Sequence, residues 1–237
     1  MVVEGRVDGA VIPIENSLAG PVAEHYDLLL THEVEIESES LLRIRHNLIG
    51  LAGASLEEVE RVYSHPVALA QCRNFLNAHP QMEAVPFYDT AGSVKQLVKD
   101  RDKKSAGIAS SQAAEYYGGK ILAEGIEDNP ENHTRFFLIR KKGMVKADER
   151  PDKVSLAFTV ENRPGTLVAA LEVFARQGTN LTRIESRPVP GRPWEYVFYT
   201  DYQLSSPETA DAALTQLAEH CSMVKELGRY RAARGGS

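Results

Sequence analysis

Apolar runs and the polar residues between them set a repeating rhythm over the first 142 positions. Asp8-Gly9-Ala10-Val11-Ile12-Pro13-Ile14 has the continuous apolar character of a buried strand. Glu15-Asn16-Ser17-Leu18-Ala19-Gly20 follows as a polar loop, and Pro21 with Val22, Tyr26, Leu29 and Leu30 opens an amphipathic helix. Strands are expected at about 33–39 and 41–51, a helix around 55–59 and a short strand at 61–63. Ser64 is then placed as the cap of a helix with Pro66 in its first turn and Leu69, Cys72 and Leu76 on its apolar face. The rhythm recurs with Val85-Pro86-Phe87-Tyr88 as strand, 89–93 as loop and a helix carrying Val94, Leu97 and Val98. It recurs once more with a strand at 106–109, Ser110-Ser111, and a helix at 113–117. Four strand–loop–helix units predict an open α/β sheet whose ligands lie at the carboxyl ends of its strands, where helix N-termini offer free N–H groups and a positive dipole end.

A polar tetrad, Asn132-His133-Thr134-Arg135, runs straight into the apolar strand Phe136-Phe137-Leu138-Ile139. Asp128-Asn129-Pro130-Glu131 reads as the turn entering it and Arg140-Lys141-Lys142 as its solvated exit. Two hydrogen-bonding side chains and a guanidinium at the start of a strand mark the first place to look for chemistry.

After a charged linker at 143–152 the pattern changes. A strand at 153–160, a helix opening at Asn162-Arg163-Pro164-Gly165 and stopping at Gly178, strands at 180–187 and 195–201, a helix opened by Ser206-Pro207 and a strand at 223–230 make a βαββαβ domain.

Composition narrows the class more than the function. The 237 residues are 43% hydrophobic and 25% charged, enough for a sizeable core and two domains. Net charge is −6 and the basic runs at 101–104 and 140–142 are short, so nucleic acid is not an expected partner. With no leader-like opening and no apolar run near 18 residues, neither secretion nor membrane insertion is signalled, and a reducing cytoplasm is the expected compartment. Cys72 and Cys221 stand far apart and are read as small apolar packing groups, with no disulfide framework and no metal cluster.

Several ordered motifs together resemble one family. Pro-Ile-Glu-Asn-Ser at 13–17, Ser-His-Pro at 64–66, Thr-Ala-Gly at 90–92 and Asn-His-Thr-Arg-Phe at 132–136 are similar to prephenate dehydratase. Gly165-Thr166-Leu167-Val168 and Glu185-Ser186-Arg187-Pro188 are similar to the phenylalanine-binding motifs of its ACT regulatory domain. The resemblance implies a two-lobed periplasmic-binding-protein-like catalytic domain over 1–142 and a ferredoxin-like ACT domain over 153–237. The family's opening glycine-rich strand–helix–strand–helix is not matched, so the first lobe is expected to be shortened. Val67 and Thr166 also depart from the family's usual Gln and Ala.

The implied reaction is loss of carbon dioxide and hydroxide from prephenate to give phenylpyruvate, a hydro-lyase aromatisation needing no cofactor or metal. The resemblance makes Thr134 the donor to the leaving hydroxyl, with Glu15 and Arg135 shaping the catalytic site. It gives substrate contacts to Asn16, Ser17, Ser64, His65, Gln71, Thr90, Asn132 and Phe136. It gives the allosteric phenylalanine site to Asn162, Gly165, Thr166, Leu167, Val168, Glu185, Ser186, Arg187 and Pro188, at an interface that implies a homodimer or homotetramer. Taken without the resemblance, each motif also has a plain reading: His65 as a surface histidine, Thr134 as a packed strand residue, Glu185 and Arg187 as an exposed charge pair. Arogenate dehydratase, and a non-catalytic amino-acid-binding regulator, are the alternative functions.

Overall fold

The computed structural model describes residues 1–146, 148, 150–189, 191–204 and 206–233. In chain order the elements are β1 (Gly9–Asn16), β2 (Gly20–Pro21), α1 (Ala23–Thr31), β3 (Val34–Arg43), β4 (Asn47–Gly50), a 3₁₀ turn (Leu56–Glu58), β5 (Arg61–Ser64), α2 (Pro66–Ala70) and α3 (Arg73–Ala78). They continue with β6 (Glu83–Pro86), α4 (Thr90–Asp100), β7 (Ser105–Ala109), α5 (Ser111–Tyr117), β8 (Lys120–Ala123) and β9 (His133–Lys141). The last third holds β10 (Lys153–Thr159), α6 (Thr166–Arg176), β11 (Leu181–Pro188), β12 (Tyr196–Gln203), α7 (Pro207–His220) and β13 (Met223–Tyr230).

The βαββαβ reading of the last third matches these elements closely, and its sheet has the ferredoxin-like order β11-β12-β10-β13. Of the expected linker, residues 147 and 149 lie outside the described positions; so do 190, 205 and 234–237 of the expected ACT domain. The first 142 residues differ more from the expected elements. Glu15 and Asn16 are strand, pairing with Pro21 and Gly20 across a three-residue turn, so the polar loop is shorter than expected and α1 starts two residues after Pro21. Residues 34–43 form one strand rather than the end of one and the start of another. Thr90, Gly92 and Ser93 are the first turn of α4, capped by the Asp89 carboxylate, which accepts from Gly92 N–H. The strand β8 carried no expectation. Ser64 is not a cap: it ends β5 with its hydroxyl donating to Ile108 O at 2.6 Å, and the cap of α2 is the His65 ring, whose Nδ1 accepts from Val67 N–H at 3.2 Å.

By packing, the chain divides into two compact units. One comprises Ser17–Ala19 and Arg43–Thr134. Its sheet runs β6-β5-β7-β4-β8, with β5 parallel to β6 and β7 while β4 is antiparallel to both of its neighbours. Both faces are covered, one by Leu69, Cys72 and Met82 against Leu48, Val62 and Ile108, the other by Val94, Ala113 and Ala114 against Ile49 and Ala109. That two-sided burial explains why these strands read as apolar runs rather than alternations. Burial also pushes the Cys72 thiol up to about 12, consistent with its role as a packing group.

The other unit comprises Met1–Asn16, Gly20–Leu42 and Arg135–Ser237. It holds the sheet β2-β1-β9-β3 and the ferredoxin-like sheet together. Ile14, Val34, Ile36, Phe137 and Ile139 of the first pack with Ala157, Val197, Tyr199, Leu227 and Tyr230 of the second, while α6 and α7 cover the second sheet's other face through Ala170, Phe174, Ala210 and Leu217. Backbone meets backbone where β13 crosses β3: a Cβ on Gly228 would collide with the Ile36 carbonyl and stand 2.8 Å from its Cβ. The packing division therefore differs from the boundary at 142, because residues 1–16, 20–42 and 135–142 share a core with the ACT-like sheet.

Candidate functional site

In the unit built on β5, β6 and β7, the carboxyl ends of these parallel strands carry Ser64, His65 and Thr90, as an open α/β sheet requires. Ser64 is fully buried with its hydroxyl proton committed to Ile108 O. His65 is exposed at the head of α2, and Thr90 is half-buried at the head of α4 with its carbonyl accepting from Ser93 Oγ at 2.6 Å.

A cleft of about 380 Å³ opens in the same unit, lined by Leu18, Ala19, Val67, Ala70, Gln71, Arg73, Glu127, Asp128, Asn129 and Asn132. Gln71, at the end of α2, is its organising side chain. The Gln71 Oε1 accepts from Asn132 Nδ2 at 3.1 Å and stands 2.9 Å from His46 Nε2. An amide oxygen facing a ring nitrogen at that distance fixes the tautomer with the proton on Nε2. Asn132 is fully buried and His46 nearly so. The walls are tied down through backbone: Asp128 N–H donates to Gln71 O at 2.7 Å, and its carboxylate accepts from Arg73 and Asn74 N–H at 3.1 and 2.9 Å. Glu127 accepts from His46 N–H at 2.9 Å. Ser17 Oγ accepts from His133 N–H at 3.0 Å and donates to Glu131 O, so the tip of the 17–19 turn is pinned to the entrance of β9. Gln71 and Asn132 thus share the wall of the cleft, while Thr134, two residues beyond Asn132 and half-buried, is not among the residues lining it.

Strand alternation separates the two neighbours Thr134 and Arg135. Arg135, Phe137 and Ile139 are buried on one face of β9, while Thr134 and Phe136 are on the opposite face and only partly covered. Arg135 belongs to an ion network of the other unit: it bonds Glu39 at 2.6 Å, Asp201 at 2.5 Å and Tyr230 OH at 3.0 Å, and lies over the Phe137 ring at 4.7 Å. Burial works against its charge, but Asp201, Tyr230 and Glu39 hold its pKa above the ordinary guanidinium value. Ser155 Oγ joins Asp201 to Tyr230 at 2.5 Å on either side, and Lys153 reaches Glu39 at 3.0 Å. Glu15 and Asn16 end β1, and Glu15 pairs with Arg183 at 3.1 Å.

The residues assigned to phenylalanine lie at two places in the ferredoxin-like domain. Gly165 caps α6 with φ of 86°, a left-handed conformation that glycine adopts without penalty. Among the described residues no side chain caps α6, and Thr166 Oγ1 instead donates back to Glu161 O at 2.7 Å. Asn162, Gly165 and Val168 are exposed, and Thr166 and Leu167 half-covered. On the edge strand β11, Ser186 and Pro188 are exposed, whereas Glu185 and Arg187 share the partly buried face. Arg187 is not paired with Glu185: it bonds Asp27 of α1 at 2.9 and 3.2 Å, and Glu185 stands 3.7 Å from Arg183.

His46, Arg73, Glu127 and Asp128 escaped the sequence reasoning. The signal available was slight, an acidic pair just ahead of the Asn129-Pro130 turn. None of the four sits in a periodic pattern.

Residues 1–144 match the family model described as prephenate dehydratase, and 154–218 match that of the ACT domain. Among curated proteins, the prephenate dehydratase of Methanocaldococcus jannaschii is 42% identical over 231 residues, covering 95% of this chain and 83% of the relative. Arogenate dehydratase/prephenate dehydratase 2, chloroplastic, of Arabidopsis thaliana is 41% identical over 235 residues, covering 94% of this chain and 61% of the relative, so the chain spans less than two thirds of that plant protein. Among solved structures, prephenate dehydratase in complex with L-Phe from Arthrobacter aurescens has a TM-score of 0.88 at 34% identity, over 98% of this chain and 77% of that one. GqqA, described as a novel type of quorum-quenching acylase, has the same TM-score at 33% identity, over 98% of this chain and 85% of that one.

Proposed function

The chain belongs to the prephenate dehydratase family, and on that premise we propose that it converts prephenate to phenylpyruvate, water and carbon dioxide, regulated by phenylalanine at its ACT domain. The observation that carries this reading is the Asn132–Gln71–His46 network at the wall of the cleft, whose Asn132 lies two residues before Thr134 on β9. In the reaction the electron pair of the ring-to-carboxylate bond moves into the ring as carbon dioxide departs, and the hydroxyl across the ring leaves with its bonding pair. Thr134 donates to that oxygen as a positioned hydroxyl within a network, since threonine alone is a weak acid. Gln71 and Arg73 are suited to hold carboxylate oxygens, Arg73 by its charge and Gln71 by the amide that its partners orient. Excluding water from the departing carboxylate raises its energy relative to neutral carbon dioxide, and aromatisation supplies the driving force.

A second reading within the same chemistry has a specific support. Arogenate carries an ammonium where prephenate carries a keto oxygen, and the carboxylates Glu127 and Asp128 on the cleft wall suit an ammonium. The purified chain given prephenate and arogenate side by side decides between them. Phenylpyruvate formation with the higher kcat/KM supports the proposal, phenylalanine formation from arogenate supports the second reading, and neither product above the uncatalysed rate overturns both.

The regulatory part rests on the uncapped start of α6, whose N–H groups and dipole suit a ligand carboxylate, and on the exposed edge β11. Two such domains meeting at that edge in a homodimer enclose the ligand. Heat of phenylalanine binding to the full chain tests this part separately from turnover.

A further inference from the structure

Strand β11 has two faces with two sets of contacts. Ile184, Ser186 and Pro188 are outward and exposed, while Arg183, Glu185 and Arg187 alternate on the inner face. The inner face grips the first-lobe elements of the same unit. Arg187 holds Asp27 on α1, and Arg183 holds Glu15 near the end of β1, one residue before Asn16.

The guanidinium of Arg183 is held unevenly. Its side chain is 11% exposed, its Nε lies 3.1 Å from Glu15, and its plane sits 4.5 Å over the Tyr26 ring. Among the described residues its Nη2 is buried without a hydrogen-bond partner, 3.7 Å from the Glu185 carboxylate and therefore too far for a bond. A buried N–H group of a cation left unmet costs free energy comparable to a lost charge-assisted hydrogen bond. Arg183 thus stands between two carboxylates, bonded to one and within a small movement of the other. Glu15 belongs to the motif assigned to catalysis, and Glu185 to the motif assigned to the effector.

We propose that Arg183 is a positioning residue that couples the two: an amino-acid effector whose ammonium engages Glu185 withdraws that carboxylate from Arg183, which then closes fully on Glu15 and fixes the end of β1. The inference rests on the effector reading above and deepens it, naming the atoms through which occupancy at β11 reaches the Glu15–Asn16 segment. The two arrangements of one guanidinium provide the alternative states that a coupling free energy requires. Arg183 lies outside the assigned effector motif, so replacing it perturbs the relay without removing a proposed ligand contact.

Hydrogen–deuterium exchange on the full chain, with and without phenylalanine, reads this directly. In the parent, phenylalanine is expected to slow exchange at the amides of residues 14–16 and to shift the apparent KM for prephenate by roughly 5- to 150-fold, the ordinary allosteric range. In Arg183→Gln, calorimetry should still record phenylalanine binding, while the protection at 14–16 disappears and the KM shift falls below about 2-fold. Arg183→Lys, which keeps the charge and serves if the glutamine variant misfolds, should retain part of both. Undiminished protection in folded Arg183→Gln, or full loss of coupling in both variants with phenylalanine no longer bound, overturns the relay. Absence of phenylalanine heat in the parent overturns the effector reading and the relay with it, whereas binding and protection without turnover overturn only the catalytic proposal.

Discussion

Arg135 carries the sharpest conflict between motif and packing. Its place in Asn-His-Thr-Arg-Phe assigns it to the catalytic site, but its guanidinium is 10% exposed and fully occupied by Glu39, Asp201 and Tyr230. Replacing it with methionine keeps most of the packing volume and strands two carboxylates that are 3% and 6% exposed. Breaking a buried ion pair from one side typically costs 3–5 kcal/mol. Lys153 and Ala233 N–H still serve Glu39, and Ser155 still serves Asp201, so the lower end applies, about 3 kcal/mol. That is a large part of an ordinary stability of about 5–15 kcal/mol. At 2–4 °C per kcal/mol for a chain of this size, thermal unfolding should fall by roughly 6–12 °C. Adding Asp201→Asn to Arg135→Met removes one stranded charge and should return part of the loss, a non-additivity that marks a shared network. Activity per folded molecule should remain within about 10-fold of the parent, because one wrong contact in the chemistry itself is worth about 10²–10³. A melting temperature within about 2 °C of the parent, together with abolished turnover, would refute the structural role and return Arg135 to the catalytic site.

Three further outcomes test the fold and the cleft. Glu37 is bonded to Arg140 at 2.5 Å, which with the Lys146 N–H holds its carboxyl below the ordinary carboxylate range despite opposing burial. A lowered folded-state pKa stabilises above the unfolded value and is lost as pH falls through the folded one, so Glu37→Gln should narrow the loss of stability between pH 6 and pH 3, measured by urea titration at each pH. Gly228→Ala presses a methyl into the Ile36 backbone and should cost about 3 kcal/mol or more, since neither strand can yield cheaply; a calorimetric melting temperature equal to the parent's would contradict the crossing of β13 on β3. Asn132→Leu removes one of the two donors to Gln71 Oε1, leaving His46 as the other, and should weaken stability by about 1–3 kcal/mol while raising the KM for prephenate; a variant with unchanged KM would remove the network from substrate binding.

The ACT-like domain was legible almost element by element because its helices and strands carry strong periods and its turns carry Gly165, Gly178 and Ser206-Pro207. In the first 142 residues the same rules mistook Ser64 for a cap. A hydroxyl at the end of a buried parallel strand looks like one before a helix, and only the neighbouring strand shows that it bonds Ile108 O. The continuous β3 was obscured by Leu41 and Leu42, adjacent apolar residues that break the alternation and are both exposed. Gln71 and Asn132, which the resemblance offered as substrate contacts, line one cleft, and both lie at element ends. Arg135 was illegible for a different reason: its partners Glu39 and Asp201 are 96 and 66 positions away, and nothing local distinguishes a buried network arginine from one facing a ligand.

The central claim is that the hydroxyl of Thr134 assists departure of water as carbon dioxide is lost. Release of carbon dioxide and phenylpyruvate from prephenate, measured together for the parent, Thr134→Val and Thr134→Ser, tests it most directly. The account predicts equal amounts of the two products from the parent, turnover lowered by at least ~10² in the valine variant with little change in KM, and most activity kept by serine. Turnover in Thr134→Val equal to the parent's, or no carbon dioxide released by any of the three, would contradict it.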